Sequence, residues 1–166
     1  DLAYKLMNQR DFPSYGYLAD KKNNTLWETW NGDGNDEGCG HCHPMFGSVV
    51  AWFYHSLAGI KPDQSDPGMK HFYIEPMIVP DLKYCRATYD IGSKYLLDGI
   101  DENGNLNLKI EVPANTSATV IIPDWGGRTV LESGKPVSEV SNIVIDKVDS
   151  ARMKVSSGVY HFVILK

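Results

Sequence analysis

Hydrophobic positions along the chain follow two different periods. Near the start, Leu2, Ala3, Leu6 and Met7 fall on one helical face ahead of Asp11-Phe-Pro-Ser14. A stronger helical pattern covers Pro44-Met-Phe-Gly-Ser-Val-Val-Ala-Trp-Phe-Tyr-His-Ser-Leu-Ala-Gly-Ile60, with Pro44 suited to a first turn and Gly59 to a C-terminal cap. Met45, Val49, Trp52, Phe53, Leu57 and Ile60 follow the i, i+3, i+4 spacing, while Phe46, Val50 and Tyr54 make the other faces apolar too. A helix apolar nearly all round is normally wedged between other helices, and this chain offers too few to supply them. Residues 12–43 between the two helices read as one long irregular region, and a loop of that length with Trp residues inside it points to function.

From Pro62 onward the period falls to two. Lys61-Pro-Asp-Gln-Ser-Asp-Pro-Gly68 reads as a turn-rich linker, and short strand-like runs follow. The runs are 71–75, 83–90, 92–100, 106–112, 118–122, 129–131, 143–145, 153–155 and 158–165. Alternation is complete in Leu106-Asn-Leu-Lys-Ile-Glu-Val112, and Asp101-Glu-Asn-Gly104 and Glu132-Ser-Gly-Lys135 suit hairpin turns. About a hundred residues of short strands without helical crossovers predict an antiparallel β-sandwich rather than a parallel sheet. The fold class expected is therefore mixed α and β, a helical part over residues 1–61 and a sandwich over 62–166. No internal repeat or low-complexity segment interrupts this division.

Composition narrows the function classes. The chain has 166 residues, 42% hydrophobic and 22% charged, with mean hydropathy −0.31. That is globular composition for one domain or two small ones. With 16 basic and 21 acidic residues the net charge is −5, and no basic stripe exists to hold a phosphate backbone, which disfavours nucleic acid as a partner. No run approaches the ~18 apolar residues of a membrane span. The start at Asp1, within a helical pattern and without a basic-then-apolar leader, suggests a mature or cut product. Cys39, Cys42 and Cys85 are an odd number, so no complete disulfide framework is expected. Four Trp and nine Tyr suit a large core, a carbohydrate surface, or both.

Two short stretches could carry chemistry. Thr25-Leu-Trp-Glu-Thr-Trp30 places an acidic residue between two indoles, with Asp33 and Asp36 close behind. Indole faces can stack on the C–H faces of a sugar and exclude water. Apolar walls and neighbouring charges tune a carboxyl group for acid/base work on a glycosidic bond. The alternative is that Trp27 and Trp30 are core residues and Glu28 a cap or pairing group. Cys39-Gly-His-Cys-His43 matches the C-x-x-C-H haem-attachment pattern and could also be half a zinc site or a redox dithiol. A haem needs a helical pocket and usually a second ligand, zinc a second ligand pair, and a dithiol a βαβ setting. The favoured reading is one polar site His beside an incidental Cys pair, with no metal or cofactor. Asn23-Asn-Thr25 and Asn115-Thr-Ser117 are glycosylation sequons, and Asp101-Glu-Asn-Gly-Asn105 is better read as a hairpin turn than as a calcium loop.

Six stretches, in order along nearly the whole chain, resemble the C-terminal part of bacterial α-L-rhamnosidases, glycoside hydrolase family 78. They are Phe12-Pro-Ser-Tyr-Gly-Tyr-Leu18, Thr25-Leu-Trp-Glu-Thr-Trp-Asn-Gly32, His43-Pro-Met-Phe-Gly-Ser-Val-Val-Ala-Trp-Phe-Tyr54, Leu57-Ala-Gly-Ile60, Pro67-Gly-Met-Lys-His-Phe72 and Val112-Pro-Ala-Asn-Thr-Ser-Ala-Thr-Val120. The resemblance implies that 1–61 is the C-terminal remnant of an (α/α)6 catalytic barrel and 62–166 a C-terminal β-sandwich. It also implies an inverting hydrolase of terminal α-L-rhamnosyl residues, with Glu28 as general base and the general acid upstream, so that the isolated chain is inactive. Trp27 and Trp30 would wall the rhamnose pocket, and His43 would hydrogen-bond a sugar hydroxyl. Tyr15 stands where the family usually has Trp, keeping a smaller aromatic wall, and Cys42 replaces a usual amide. The expected partner is a rhamnose-containing glycan or glycoside, with self-association through the exposed barrel face. The compartment is not fixed by the sequence, although glycan breakdown by bacteria is commonly periplasmic or extracellular. Two other readings stay open. One is a carbohydrate-binding or structural sandwich module, for which Trp125 in Pro123-Asp-Trp-Gly-Gly127 is the sandwich's only Trp. The other is a glycosidase of the same barrel type acting on a different sugar.

Overall fold

The computed structural model describes residues 2–21, 25–31, 40–79, 81–89, 93–101, 103–123, 126–149 and 151–166, with 93–100 described by backbone alone. Packing divides the chain into one compact unit that ends at Trp52 and a second spanning Phe53–Lys166. The architecture is mixed, with few helices and a mostly antiparallel sheet.

The first unit contains α1 (Leu2–Asn8), α2 (Tyr15–Asp20), a 3₁₀ turn (Pro44–Ser48) and α3 (Val49–Trp52). Helix α2 falls inside the stretch expected to be irregular. Its pattern is too short to read, but it is fixed by a cap: the Ser14 hydroxyl accepts from the Tyr17 N–H at 3.0 Å. Gly16 is required for close approach, because a Cβ there would lie 2.4 Å from the Gln9 carbonyl oxygen. Ser14 and Leu18 are the only buried residues among those described in this unit. Leu2, Leu6, Met45 and Val50 are each at least 53% exposed.

The helix expected over 44–60 is not one regular helix. The 3₁₀ turn and α3 are followed, in the second unit, by a π turn over Phe53–Leu57. The Ala58 N–H donates to the Phe53 carbonyl at 2.9 Å, the i to i+5 bond of that turn. Helical structure therefore stops at Leu57, and Ile60 opens a strand instead of ending the helix. Gly59 does make the left-handed exit expected of a cap, with φ of +73°.

The second unit holds β1 (Ile60–Pro62), β2 (His71–Ile74), β3 (Cys85–Tyr89), β4 (Ser93–Ile100), β5 (Leu106–Ile121), β6 (Val130–Glu132), β7 (Lys135–Pro136), β8 (Ile143–Ile145) and β9 (Arg152–Ile164). A 3₁₀ turn at Val137–Glu139 lies between β7 and β8. Strands β5 and β9 pair antiparallel over most of their length and form the spine. On its other edge β5 carries β4 along Leu106–Glu111 and β2 along Ser117–Val120. The outer edge of β9 carries β6 at Val130–Glu132 and β8 at Ile143–Ile145. The β2–β5 ladder is parallel, a departure from the antiparallel expectation. The intervening β3–β4 hairpin makes the crossover that a helix would otherwise make.

The two runs expected at 106–112 and 118–122 are one strand, and so are 153–155 and 158–165. Residues 113–116 of β5 lie opposite Ser157 alone on β9, between the pairs Val112–Gly158 and Ser117–Ser156. Asn115 there has φ of +62°, and the Thr116 hydroxyl donates to the Pro113 carbonyl at 2.8 Å. The three extra residues reverse the inward parity on β9. Met153 and Val155 are buried on one side of the irregularity, and Tyr160, Phe162 and Ile164 on the other. Paired core positions include Leu108 with Phe162, Ile110 with Tyr160, Ala118 with Val155 and Val120 with Met153. The Leu, Ile, Val, Phe and Met side chains among them each contribute about 1.5–3 kcal/mol of burial. The Tyr160 hydroxyl donates to the Ser156 carbonyl at 2.9 Å, so its polar end is satisfied inside the core.

Candidate functional site

The candidate residues of the first unit sit on two short extended segments held side by side. The His43 N–H donates to the Leu26 carbonyl at 2.7 Å, and the Glu28 N–H donates to the Gly40 carbonyl at 2.9 Å. The Thr25 hydroxyl bonds to the His41 carbonyl. In return the Gly40 N–H donates to Glu28 Oε2 at 2.9 Å. Residues 28 and 40 thus clamp each other through one backbone bond and one carboxylate bond. A hydrogen bond of this kind from a backbone amide to a carboxylate oxygen fixes the orientation of the carboxyl group.

Aromatic rings lie on both sides of this clamp in sequence. The Trp27 indole stacks on the His41 imidazole, with centroids 4.1 Å apart and planes 9° apart. Trp30 packs on Phe46 at 4.2 Å, and Tyr15 meets both edge-on, at 5.2 Å from Trp30 and 6.3 Å from Phe46. The Tyr15 hydroxyl donates to the Phe46 carbonyl at 2.8 Å, and burial pushes its pKa up. His43 caps the 3₁₀ turn, its Nδ1 accepting from the Met45 N–H at 3.2 Å, which leaves Nε2 as the ring's other polar atom. The position a Cβ of Gly40 would take lies 3.5 Å from Glu28 Oε2 and 3.9 Å from His43 Cδ2. Glu28 and His43 therefore flank one small space.

Of the five residues singled out from sequence, the structure brings Glu28 and His43 together at Gly40, and Tyr15 and Trp30 together in an aromatic cluster. Trp27 belongs to a separate stack. His41, Gly40 and Phe46 also contribute, beyond the residues the sequence singles out. The alternation of His41 and His43 about Cys42 is the available sequence signal for the first, whereas Phe46 belongs to the apolar pattern of 44–60. Cys42 is free and exposed; Asp33, Asp36, Cys39, Asn23 and Trp125 lie outside the described residues. Among the described residues no group of three or more His, Cys, Asp and Glu side chains could hold a metal ion, and no helix is long and apolar enough to cross a membrane. Asp101 accepts from the Asn103 and Asn105 amides at 2.9 and 2.8 Å, within the link between the paired strands β4 and β5.

The site thus joins a carboxylate oriented by a backbone amide to a nearby imidazole, with aromatic pairs on the neighbouring residues. Comparison with known proteins specifies the group. A family model described as the bacterial alpha-L-rhamnosidase 6 hairpin glycosidase domain matches residues 1–57, and one described as the bacterial alpha-L-rhamnosidase C-terminal domain matches 59–136. The chain belongs to the bacterial α-L-rhamnosidase family. It is 35% identical over 130 residues to an alpha-L-rhamnosidase of Streptomyces avermitilis, covering 74% of this chain and 12% of that protein. An alpha-L-rhamnosidase of Formosa agariphila is 27% identical over 98% of this chain and 18% of its own length. Among solved structures, an alpha-L-rhamnosidase from Dictyoglumus thermophilum superposes with a TM-score of 0.79 at 33% identity, over 98% of this chain and 18% of that one. The Streptomyces avermitilis enzyme complexed with L-rhamnose gives 0.78 at 30% identity, over 98% and 16%. The chain thus spans less than a fifth of the length of these relatives.

Proposed function

We propose that the chain is the C-terminal portion of an inverting α-L-rhamnosidase and that Glu28 is its general base. The observation that carries this reading is the Glu28 carboxylate, oriented at Oε2 by the Gly40 amide beside His43. In the proposed step Glu28 takes a proton from water as the water oxygen bonds to the anomeric carbon from the face opposite the leaving group. The glycosidic C–O bond breaks, and the leaving oxygen takes a proton from a general acid. That acid belongs to the part of the longer protein outside this chain. Two carboxyl groups about 6.5–9.5 Å apart leave room for that water. Trp27, Trp30 and Tyr15 wall the rhamnose, and His43 donates or accepts at a hydroxyl beside Glu28.

The architecture fits the same reading. Residues 1–61 are the end of an (α/α)6 barrel, which accounts for short helices whose apolar positions are exposed. Residues 62–166 are a sandwich. Its layers would be β3-β4-β5-β9-β6-β7 and β1-β2-β5-β9-β8, with both long strands passing between layers at the 113–116 irregularity. Long strands that bend at a bulge are a known way to make such a corner.

The test is Glu28→Gln in the longer protein, assayed on an aryl α-L-rhamnoside. The kcat is expected to fall roughly 10²–10⁴-fold with little change in KM. The first product seen by NMR is expected to be the β-anomer. A first product in the α-configuration, or a Glu28→Gln enzyme of near-normal kcat, rejects the assignment. The 166-residue chain alone should show no measurable hydrolysis, because it lacks the acid.

A further inference from the structure

A polar concavity of about 590 Å³ lies wholly within the strand-rich unit. It crosses the sheet face opposite the core. Tyr73 of β2, Thr119 of β5, Lys154 of β9 and Val144 of β8 are consecutive register partners and form one row across four strands. At about 4.8 Å per strand this row is roughly 14 Å long, the length of two to three linked sugar rings. The turn after β1, with Asp63 and Asp66, walls one end, and Asn142 and Asp146 wall the other.

The walls are fixed in advance. His71 pairs with Asp63 Oδ2 through Nδ1 at 2.9 Å and with the Thr119 hydroxyl through Nε2 at 3.0 Å, and Thr119 is only 2% exposed. Asp63 is itself held by the Ser65 hydroxyl at 2.6 Å, and the Arg152 guanidinium lies 5.7 Å over the Tyr73 ring. Side chains ordered before a ligand arrives lose little entropy when it binds. The charges nearly balance: Asp63, Asp66 and Asp146 face Arg152 and Lys154. A strongly charged ligand of either sign meets an opposing group. A ligand needing both acceptors and donors finds both, and Val144, 62% exposed in mid-strand, offers an apolar contact in the same row.

We infer that this concavity is a second glycan site, taking a neutral 6-deoxyhexose unit of the substrate at a distance from the reacting bond. Carboxylates and the Asn142 amide would engage neighbouring hydroxyls. The Lys154 and Arg152 donors would complete them, and Val144 would meet the methyl group. The choice of sugar rests on the rhamnosidase reading above; the groove itself does not.

The experiment is an amide NMR titration of the ¹⁵N-labelled 166-residue chain with a linear rhamnose trisaccharide and, separately, with cellotriose. Rhamnotriose is expected to move the Tyr73, Thr119 and Lys154 amides together. Arg152→Gln and Lys154→Gln should each weaken the titration at least about tenfold while leaving the thermal midpoint in place. Lys154 is exposed, so that variant keeps the test valid if Arg152→Gln fails to fold. No shift in this row, shifts confined to the Trp27 and Trp30 indoles, or preference for cellotriose each overturn the inference. Glu28→Gln separates the two readings. Loss of hydrolysis with the groove titration intact supports both. Unchanged hydrolysis with the titration intact removes the base and keeps the groove. Loss of hydrolysis without any groove titration removes the groove alone.

Discussion

Asp63 shows how one residue ties local geometry to pH. Its carboxylate accepts from the hydroxyl and the backbone amide of Ser65 and pairs with His71. The Ser65 bonds first, and then His71, hold its pKa down at about 2, against some desolvation. The folded value lies below the ordinary ~3.9, so its stabilisation is complete above about pH 4 and is lost as pH falls toward 2. Thermal melts of the chain and of Asp63→Asn between pH 5 and pH 2 should therefore converge as the solution is acidified. Asp101 and Asp146 are also lowered, mainly by backbone N–H bonds, but they are present in both proteins and cancel from the difference. Parallel curves across this range count against the assignment. The Asp63 network was invisible in the sequence, because 61–68 reads as a linker and nothing there marks His71 as its partner. Glu28 stands out as a candidate in the sequence for the opposite reason: Trp27 and Trp30, one and two positions away, mark it, whereas its Gly40 clamp depends on a contact twelve residues off.

At the scale of elements, strand positions were readable wherever one face is buried. Leu106, Leu108, Ile110 and Val112 alternate in sequence and are all buried in β5. What the alternation hides is continuity: the exposed Ala114 and Asn115 separate two runs of one strand, so the period breaks although the chain keeps pairing beyond them. Strands β1 and β7, of three and two residues, carry no period at all, and pairing alone defines them. The exit from the π turn into β1 was legible through Gly59, and its dependence on glycine is stronger than a cap requires. A Cβ there would lie 2.1 Å from the Glu75 carbonyl carbon and oxygen, at φ of +73°. Left-handed strain of roughly 1–2 kcal/mol and overpacking of about 1–3 kcal/mol then add. Gly134→Ala is the control: its φ is +84° and a Cβ would meet nothing within 4 Å, so it pays the strain alone. Urea unfolding should show Gly59→Ala destabilised by at least about 1 kcal/mol more than Gly134→Ala; equal losses would mean the Glu75 backbone yields at little cost.

The whole chain joins two units of unequal self-sufficiency. The strand-rich unit buries a continuous core running from Ala58 to Ile164. In the unit ending at Trp52 the described residues bury only Ser14 and Leu18, while Leu2, Leu6, Met45 and Val50 stay more than half exposed. A unit of this size has too little interior to offset its chain entropy, and exposed apolar side chains of this kind gain by being covered. The 6 hairpin glycosidase family model matches the chain's first 57 residues, and on the reading proposed above these residues are the end of a larger barrel. The chain on its own should cover the same side chains with a second copy. Sedimentation velocity over a hundredfold range of concentration is expected to show reversible association, and the double variant Leu6→Glu, Val50→Glu should shift the chain toward monomer. Because both positions are exposed, the variant should leave the melting of the strand-rich unit unchanged. A chain that stays monomeric at the highest concentration, with the variant indistinguishable from it, would show that the first unit tolerates its open faces and that association is not how they are covered.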